Sequence, residues 1–273
     1  MAHNNFQVLQ KLLEALDSEN HDIFVHIDKK VKQLPHLRTQ KSNLIILNRR
    51  IDVRWGHVSQ VLAEYELFKS AKANDAYSFY ILLSGTHYPL LTSQNLYNYI
   101  EGYRGTSILT PLNFDRDEII RKTEYKHCFF KSSSSKSKII RVISNLLWRF
   151  ALRLQCPKVN DSKVSAITKC SQWIVACDYD LDVILKHESE MVKTFKYSLC
   201  PDELFIPYIF NNSNINPIYC RDFLFQEFSC ASPVDLTHKD FSAIVESKSI
   251  FARKFTDKNI DLIFKIEKYN EDK

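Results

Sequence analysis

Glycine is scarce in this chain, at four of 273 residues, and no apolar run approaches the ~18 residues that a membrane span needs. No CxxC pair occurs, and the seven cysteines, at positions 128, 156, 170, 177, 200, 220 and 230, are odd in number. Neither a zinc site nor a full disulfide set is indicated, so reduced thiols in a cytosol are expected. The start, MAHNNFQVLQKLLEAL, is no signal peptide: it begins polar and turns into an amphipathic helix pattern. A dense basic stripe is missing too. With 37 basic against 32 acidic residues the net charge is +5, which does not by itself imply nucleic acid. A phosphate-bearing substrate or an anionic membrane surface suits that charge equally well. The expected protein is soluble and cytoplasmic, at most peripheral at the inner face of the cell membrane.

What is present is the balance of a folded domain: 45% hydrophobic, 12% aromatic and 25% charged residues. The length suits one domain over residues 1–273 with a substantial core. Helix and strand patterns alternate in the first half. NFQVLQKLLEALD carries a helical apolar face at Phe6, Leu9, Leu12, Leu13 and Leu16, and DIFVHID reads as a strand. NLIIL follows as a strand, HVSQVLAEYELFKSA as a helix and YSFYILLSG as a deeply apolar strand. This alternation predicts an α/β fold with a doubly wound, mostly parallel sheet flanked by helices. Such a sheet ordinarily opens with a strand, whereas this chain opens with a helix pattern; either the strand is dispensed with or the start is clipped.

The second half opens with a Ser/Lys-rich linker, KSSSSKSK (131–138), and a basic amphipathic helix reaching to about 156. On a helical wheel Lys138, Arg141, Asn145, Arg149 and Arg153 share an arc opposite Ile140, Ile143, Leu147, Phe150 and Leu154. Two readings fit: a surface helix covering the core, or an interfacial helix on anionic lipid.

Five segments carry candidate chemistry. FVHID ends in His26 and Asp28, either exposed to a crevice beyond a strand's carboxyl end or part of a plain turn. In DVRWGHVS, Trp55 is a stacking platform or a buried anchor, and Gly56 permits close backbone approach. PDELF puts Asp202 and Glu203 in a first helical turn, where acids complement the helix dipole; held in a cleft with no cation beside it, such a carboxylate is a general base. SIFARKF places Arg253 and Lys254 in an apolar frame. Burying both unpaired costs several kcal/mol per charge, a cost removed by a diphosphate, to which arginine offers a planar fork and lysine a point charge, or by snorkelling to water. CDYDLDV has DxD spacing at Asp178, Asp180 and Asp182, which suits a hard metal ion; as an N-cap (Asp178) and a first-turn acid (Asp180), the same residues need no metal.

In this order HIDKK, RWGHVS, YILLSGTHYPL, SQWIVACDYD, PDELF, CASPVDL and IFARKF resemble the core-2/I-branching β-1,6-N-acetylglucosaminyltransferase and peptide O-xylosyltransferase family, from about His3 to Phe255. The resemblance implies a GT-A-type nucleotide-sugar fold, an inverting mechanism and a donor site without a metal, the UDP-sugar being a co-substrate and no cofactor being needed. By the same resemblance Glu203 is the catalytic base, Lys254 and Arg253 hold the donor diphosphate with Arg221 as a second arginine, and Asp28, with His26, Trp55 and Gly56, lines the nucleoside pocket. His87, Trp173 and Asp202 are weaker candidates for acceptor or sugar contacts. Implied partners are a UDP-sugar, most simply UDP-GlcNAc, and a glycan or lipid-linked glycan acceptor of surface polysaccharide. Rival readings are a metal-dependent transferase using Asp178 and Asp180, and a non-catalytic nucleotide-sugar or glycan-binding protein. The pattern departs from the family at His87, where SGxDYP has Asp, and at Thr256, where an acid is common. No roles are assigned to Glu124, Tyr125 and His127.

Overall fold

The computed structural model describes residues 1–133, 135, 137–229 and 232–271. The opening helix, Phe6–Leu16, forms as its spacing demands and buries Val8, Leu9, Leu12 and Leu13. It packs beside two short parallel strands, Ile23–Val25 and Leu44–Ile46. Helix Ser59–Asn74 follows. Nine of its side chains are buried, including Tyr65 and Phe68, so it is a core helix and not a one-sided cover.

A four-stranded sheet runs in the order Phe79–Ile81, Val175–Cys177, Ile108–Leu109, Ile218–Tyr219. The first two neighbouring pairs are antiparallel and the third is parallel. A three-stranded sheet sets Phe251–Arg253 between Tyr88–Pro89, antiparallel, and Leu224–Gln226, parallel. The α/β class therefore holds, but the pairing is more mixed than the alternation implied. Val175–Cys177 is responsible: it is antiparallel to both of its neighbours, a direction that alternating apolar runs do not encode.

Between the first strand pair and the four-stranded sheet lies the start of the chain. Ala2 forms a parallel bridge with Ile27. The Ala2 N–H donates to the His26 carbonyl and the Asp28 N–H to that of Ala2, both at 2.9 Å. On the other side the Met1 amine donates to the Leu83 carbonyl, and the Gly85 N–H to that of Met1, each at 2.8 Å. Met1 and Ala2 are thus hydrogen-bonded on both flanks, to Leu83 and Gly85 on one side and to His26 and Asp28 on the other. Along the same line, between Ile23–Val25 and Phe79–Ile81, runs a largely apolar cavity of about 290 Å³.

Phe251–Arg253 joins two cores. Phe251 packs with the large cluster around the four-stranded sheet, while Ala252 and the following Phe255 pack with Tyr88, Leu262 and Ile263. Phe251 and Phe255 are fully buried, and each such ring contributes roughly 1.5–3 kcal/mol relative to an exposed one. The backbone that carries Arg253 and Lys254 is pinned from both sides.

The basic helix forms at Lys138–Arg153, capped by the Ser137 hydroxyl. It does not cover the core: Ser144 is its one fully buried residue, and most of its apolar side chains face outward.

Candidate active site

The two cations of the FARKF segment part company. Lys254 reaches the surface, its ammonium 4.0 Å from Asp235. Arg253 stays inside, its guanidinium 5.1 Å over the Trp173 ring. Burial pulls its pKa down to about 10, and its Nε has no hydrogen-bond partner among the described residues.

On the same tryptophan lies His87, its ring 4.9 Å from that of Trp173. His87 Nδ1 accepts from the Ser84 N–H at 3.1 Å, which puts the proton of the neutral ring on Nε2. Burial, aided by the Arg253 charge, holds its pKa well below the usual imidazole value. Its Nε2 is also buried and unpartnered. Two N–H donors without acceptors thus flank one indole. Buried donors are nearly always paired, and leaving one unpaired costs roughly 1–3 kcal/mol. His87 and Trp173 therefore sit beside Arg253.

The PDE segment forms a 3-10 turn, Pro201–Glu203, before helix Phe205–Asn212. Its two acids face different surroundings. Glu203 is half-buried and not free of cations, contrary to the condition set by the sequence: its Oε2 lies 2.8 Å from the Lys122 ammonium and 3.8 Å from that of Lys169. Burial opposes the charge of Lys122, but Glu203, with Cys200 and Glu118 adding to it, outweighs burial and raises the lysine's pKa. Asp202 is buried away from the cleft, accepting from Gln60 Nε2 at 3.0 Å. Burial, with the Glu203 charge adding to it, pushes its carboxyl up to about 7.

Gln60 is the centre of a buried network that motif reading missed. Its Oε1 accepts from the Gly56 N–H, and its Nε2 donates to Asp202 and to Gln172 Oε1. Gln172 Nε2 in turn donates to Glu64 Oε1 at 3.2 Å. Burial, with the Asp202 charge adding to it, raises Glu64 well above the usual carboxylate range. The network ties together the WG turn, the PDE turn and the SQW segment, and the Gly56 carbonyl accepts from the Cys200 N–H as well. Gly56 has φ +64°, and a Cβ there would meet Phe130 at 3.0 Å, so both conformation and space call for glycine. The signal was two long polar residues one turn apart, Gln60 and Glu64, among the buried side chains of this helix. Lys122 and Lys169 gave no signal at all, since each lies on a separate element.

His26 is buried and neutral, its Nε2 accepting from the Ile51 N–H at 2.8 Å, and burial, followed by the charge of the chain's amino terminus, pulls its pKa to about 4. Asp28 closes a turn onto Lys30, whose ammonium sits 2.7 Å from its Oδ2 and 3.1 Å from Asp52. Both residues therefore knit the strand end to the loop before Trp55. Trp55 is no buried anchor: it is 62% exposed beside Phe130. Arg221 is exposed and opens the turn Arg221–Phe223, ahead of the strand that pairs with Phe251–Arg253.

The DxD run is engaged elsewhere. Asp178 is the first helical residue after the N-cap Cys177, not the cap itself, and pairs with Lys72 at 2.6 Å; Asp182 pairs with the same lysine at 2.9 Å. Asp180 is buried and accepts from the Ser107 hydroxyl. Lys72 lies between two of the three acids and the third is turned inward, so these donors do not form a ligand set.

Short mixed sheets flanked by helices place the chain in the α/β class, as the GT-A type requires. The profile of the Core-2/I-Branching enzyme family matches residues 1–221, and the chain belongs to that glycosyltransferase family. Xylosyltransferase 2 of Rattus norvegicus is 23% identical over 90% of this chain and 30% of its own length. Xylosyltransferase 1 of Homo sapiens is 21% identical over 75% of this chain and 21% of its own. The N-acetyllactosaminide beta-1,6-N-acetylglucosaminyl-transferase of Homo sapiens is 23% identical over 46% of this chain and 32% of its own length. The chain thus spans about a third or less of these relatives. Arg253 and Lys254 lie beyond the family-matched segment. No described helix is long and apolar enough to cross a membrane.

Proposed function

We propose that the protein is an inverting, metal-independent glycosyltransferase that moves a sugar, GlcNAc in the simplest reading, from a UDP-sugar to a glycan hydroxyl. The observation that carries this reading is the pair of buried N–H donors at Arg253 and His87, unpartnered among the described residues and both next to Trp173. In the reaction the acceptor oxygen bonds to the anomeric carbon from the face opposite the leaving group. The bond from that carbon to the UDP oxygen breaks, and the acceptor proton passes to Glu203. Negative charge builds on the departing diphosphate, and fixed donors aimed where charge develops do most of the catalytic work. Arg253 and the nearby Lys254 supply that charge, and Arg221 is a further cation for it. The ion pairs of Glu203 fall on Oε2, so Oε1 is the oxygen that takes the proton. Trp55 and Asp28 line the nucleoside side. The setting is the cytoplasmic face of the cell membrane, where surface polysaccharide is built on a glycan or lipid-linked glycan.

UDP release from a panel of UDP-sugars, with and without chelator, tests the reading directly. Chelator-insensitive release with one sugar is expected, and release that needs added metal would overturn the metal-free donor site. Glu203→Gln should lower turnover by ~10²–10⁴ while UDP binding is retained. Unchanged turnover would remove Glu203 as the base, and UDP binding with no turnover in either protein would fit a binding protein of the same fold.

A further inference from the structure

Between Tyr125 and Asn160 the sequence carries eight lysines and arginines and not one aspartate or glutamate, so the rest of the chain is net negative. The helix Lys138–Arg153 stands in the middle of this stretch. Among the described residues its anchoring contacts lie on one side: Ser144 donates to the Phe129 carbonyl, and the Trp148 indole N–H donates to His127 at 3.1 Å and packs 4.9 Å from Phe130. At roughly 100° per residue the arc opposite this anchor holds Ile139, Ile143, Leu146 and Phe150. These stand free, with Ile139 72% and both Leu146 and Phe150 62% exposed. Lys138, Arg149 and Arg153 line one edge of the arc. Phe129, whose carbonyl receives Ser144, and Trp55, 6.1 Å from Phe130, are exposed as well.

We propose that this helix lies in the interface of an anionic bilayer, its apolar arc in the acyl boundary and its basic edge on the headgroups. The pattern fits an interfacial helix, with a strongly apolar face, a basic border and aromatic side chains at the boundary. Charge selects the occupant. A second copy seated on the same arc would bring two acid-free basic segments together around a two-fold axis, whereas an anionic surface neutralises them. Orientation follows: Trp148 rests on Phe130, Phe130 lies 6.1 Å from Trp55, and the Gly56 turn is tied to Gln60 and Cys200. The WG and PDE turns therefore face the membrane side, where a lipid-linked acceptor would arrive. This deepens the membrane setting proposed above, and its test is run without donor sugar, so its failure is distinct from failure of the transferase reading.

The test is co-sedimentation of the full chain with phosphatidylcholine vesicles, with and without about a third phosphatidylglycerol. Binding is expected to the anionic vesicles only, and to fall steeply as salt rises toward ~1 M, where charges are screened beyond about 3 Å. Replacing Lys138, Arg149 and Arg153 by Gln should weaken it ~10–100-fold. Ile143→Ser with Leu146→Ser and Phe150→Ser should abolish it while leaving the melting temperature unchanged, because these side chains are already exposed. Equal binding to neutral vesicles, or wild-type binding by either variant, overturns the proposal. So does a dimer by light scattering that the serine variant dissolves.

Discussion

At Arg253 stability and binding pull in opposite directions. A buried guanidinium whose Nε finds no acceptor is a cost to the unliganded fold, so Arg253→Met should raise the melting temperature by a few degrees, about 2–4 °C for each 1 kcal/mol recovered in a chain of this size. The same change removes a charge-assisted contact, generally worth ~1.5–3 kcal/mol, and should weaken UDP binding about 10–100-fold. Scanning calorimetry and titration on one sample check both signs. Asp202 gives a pH test. Its folded carboxyl stays protonated up to about 7 while the unfolded one ionises near 3.8, so the unfolded state binds fewer protons in that window and stability falls as pH rises through it. Asn mimics the protonated acid, and Asp202→Asn should gain on the wild type progressively from pH 4 to 7 in denaturant melts. His26, held neutral down to about 4, works in the opposite direction below 6.5, but it is common to both proteins and cancels in the difference. Glu203 was legible as an acid of note in the sequence. Lys122 was not, because an ion pair spanning 81 residues leaves no mark on local pattern.

Elements were read unevenly, for a definite reason. Helices with one apolar stripe declare themselves through spacing, as Phe6–Leu16 and Lys138–Arg153 did. What the basic helix rests on was hidden, since a stripe that faces a core and a stripe that faces outward have the same period. The strands fared worse: most run two or three residues, too short for alternation to build up, and the direction of Val175–Cys177 is set by tertiary packing alone. The turn after the strand Phe79–Ile81 offers an element-scale check. Gly85 lies where a Cβ would come within 2.8 Å of the Ala2 Cβ, and Ala2 is held by backbone hydrogen bonds to His26 and Asp28. Gly85→Ala should destabilise the fold by ~1–3 kcal/mol, read as a shifted urea midpoint with an unchanged slope.

Across the whole molecule, the four backbone hydrogen bonds of Met1 and Ala2 splice the strand pair that ends in His26 and Asp28 to the segment Leu83–Gly85 that leads to His87. The distance between the proposed nucleoside wall and the proposed phosphate wall is therefore set partly by two residues, beside a cavity that gives them little support. In hydrogen–deuterium exchange the amides of Asp28 and Gly85 should open in concert and sooner than that of Leu82, which is held by Ile174. UDP, by bridging the two walls, should slow both amides by the same factor, as if a rivet had been driven through the seam.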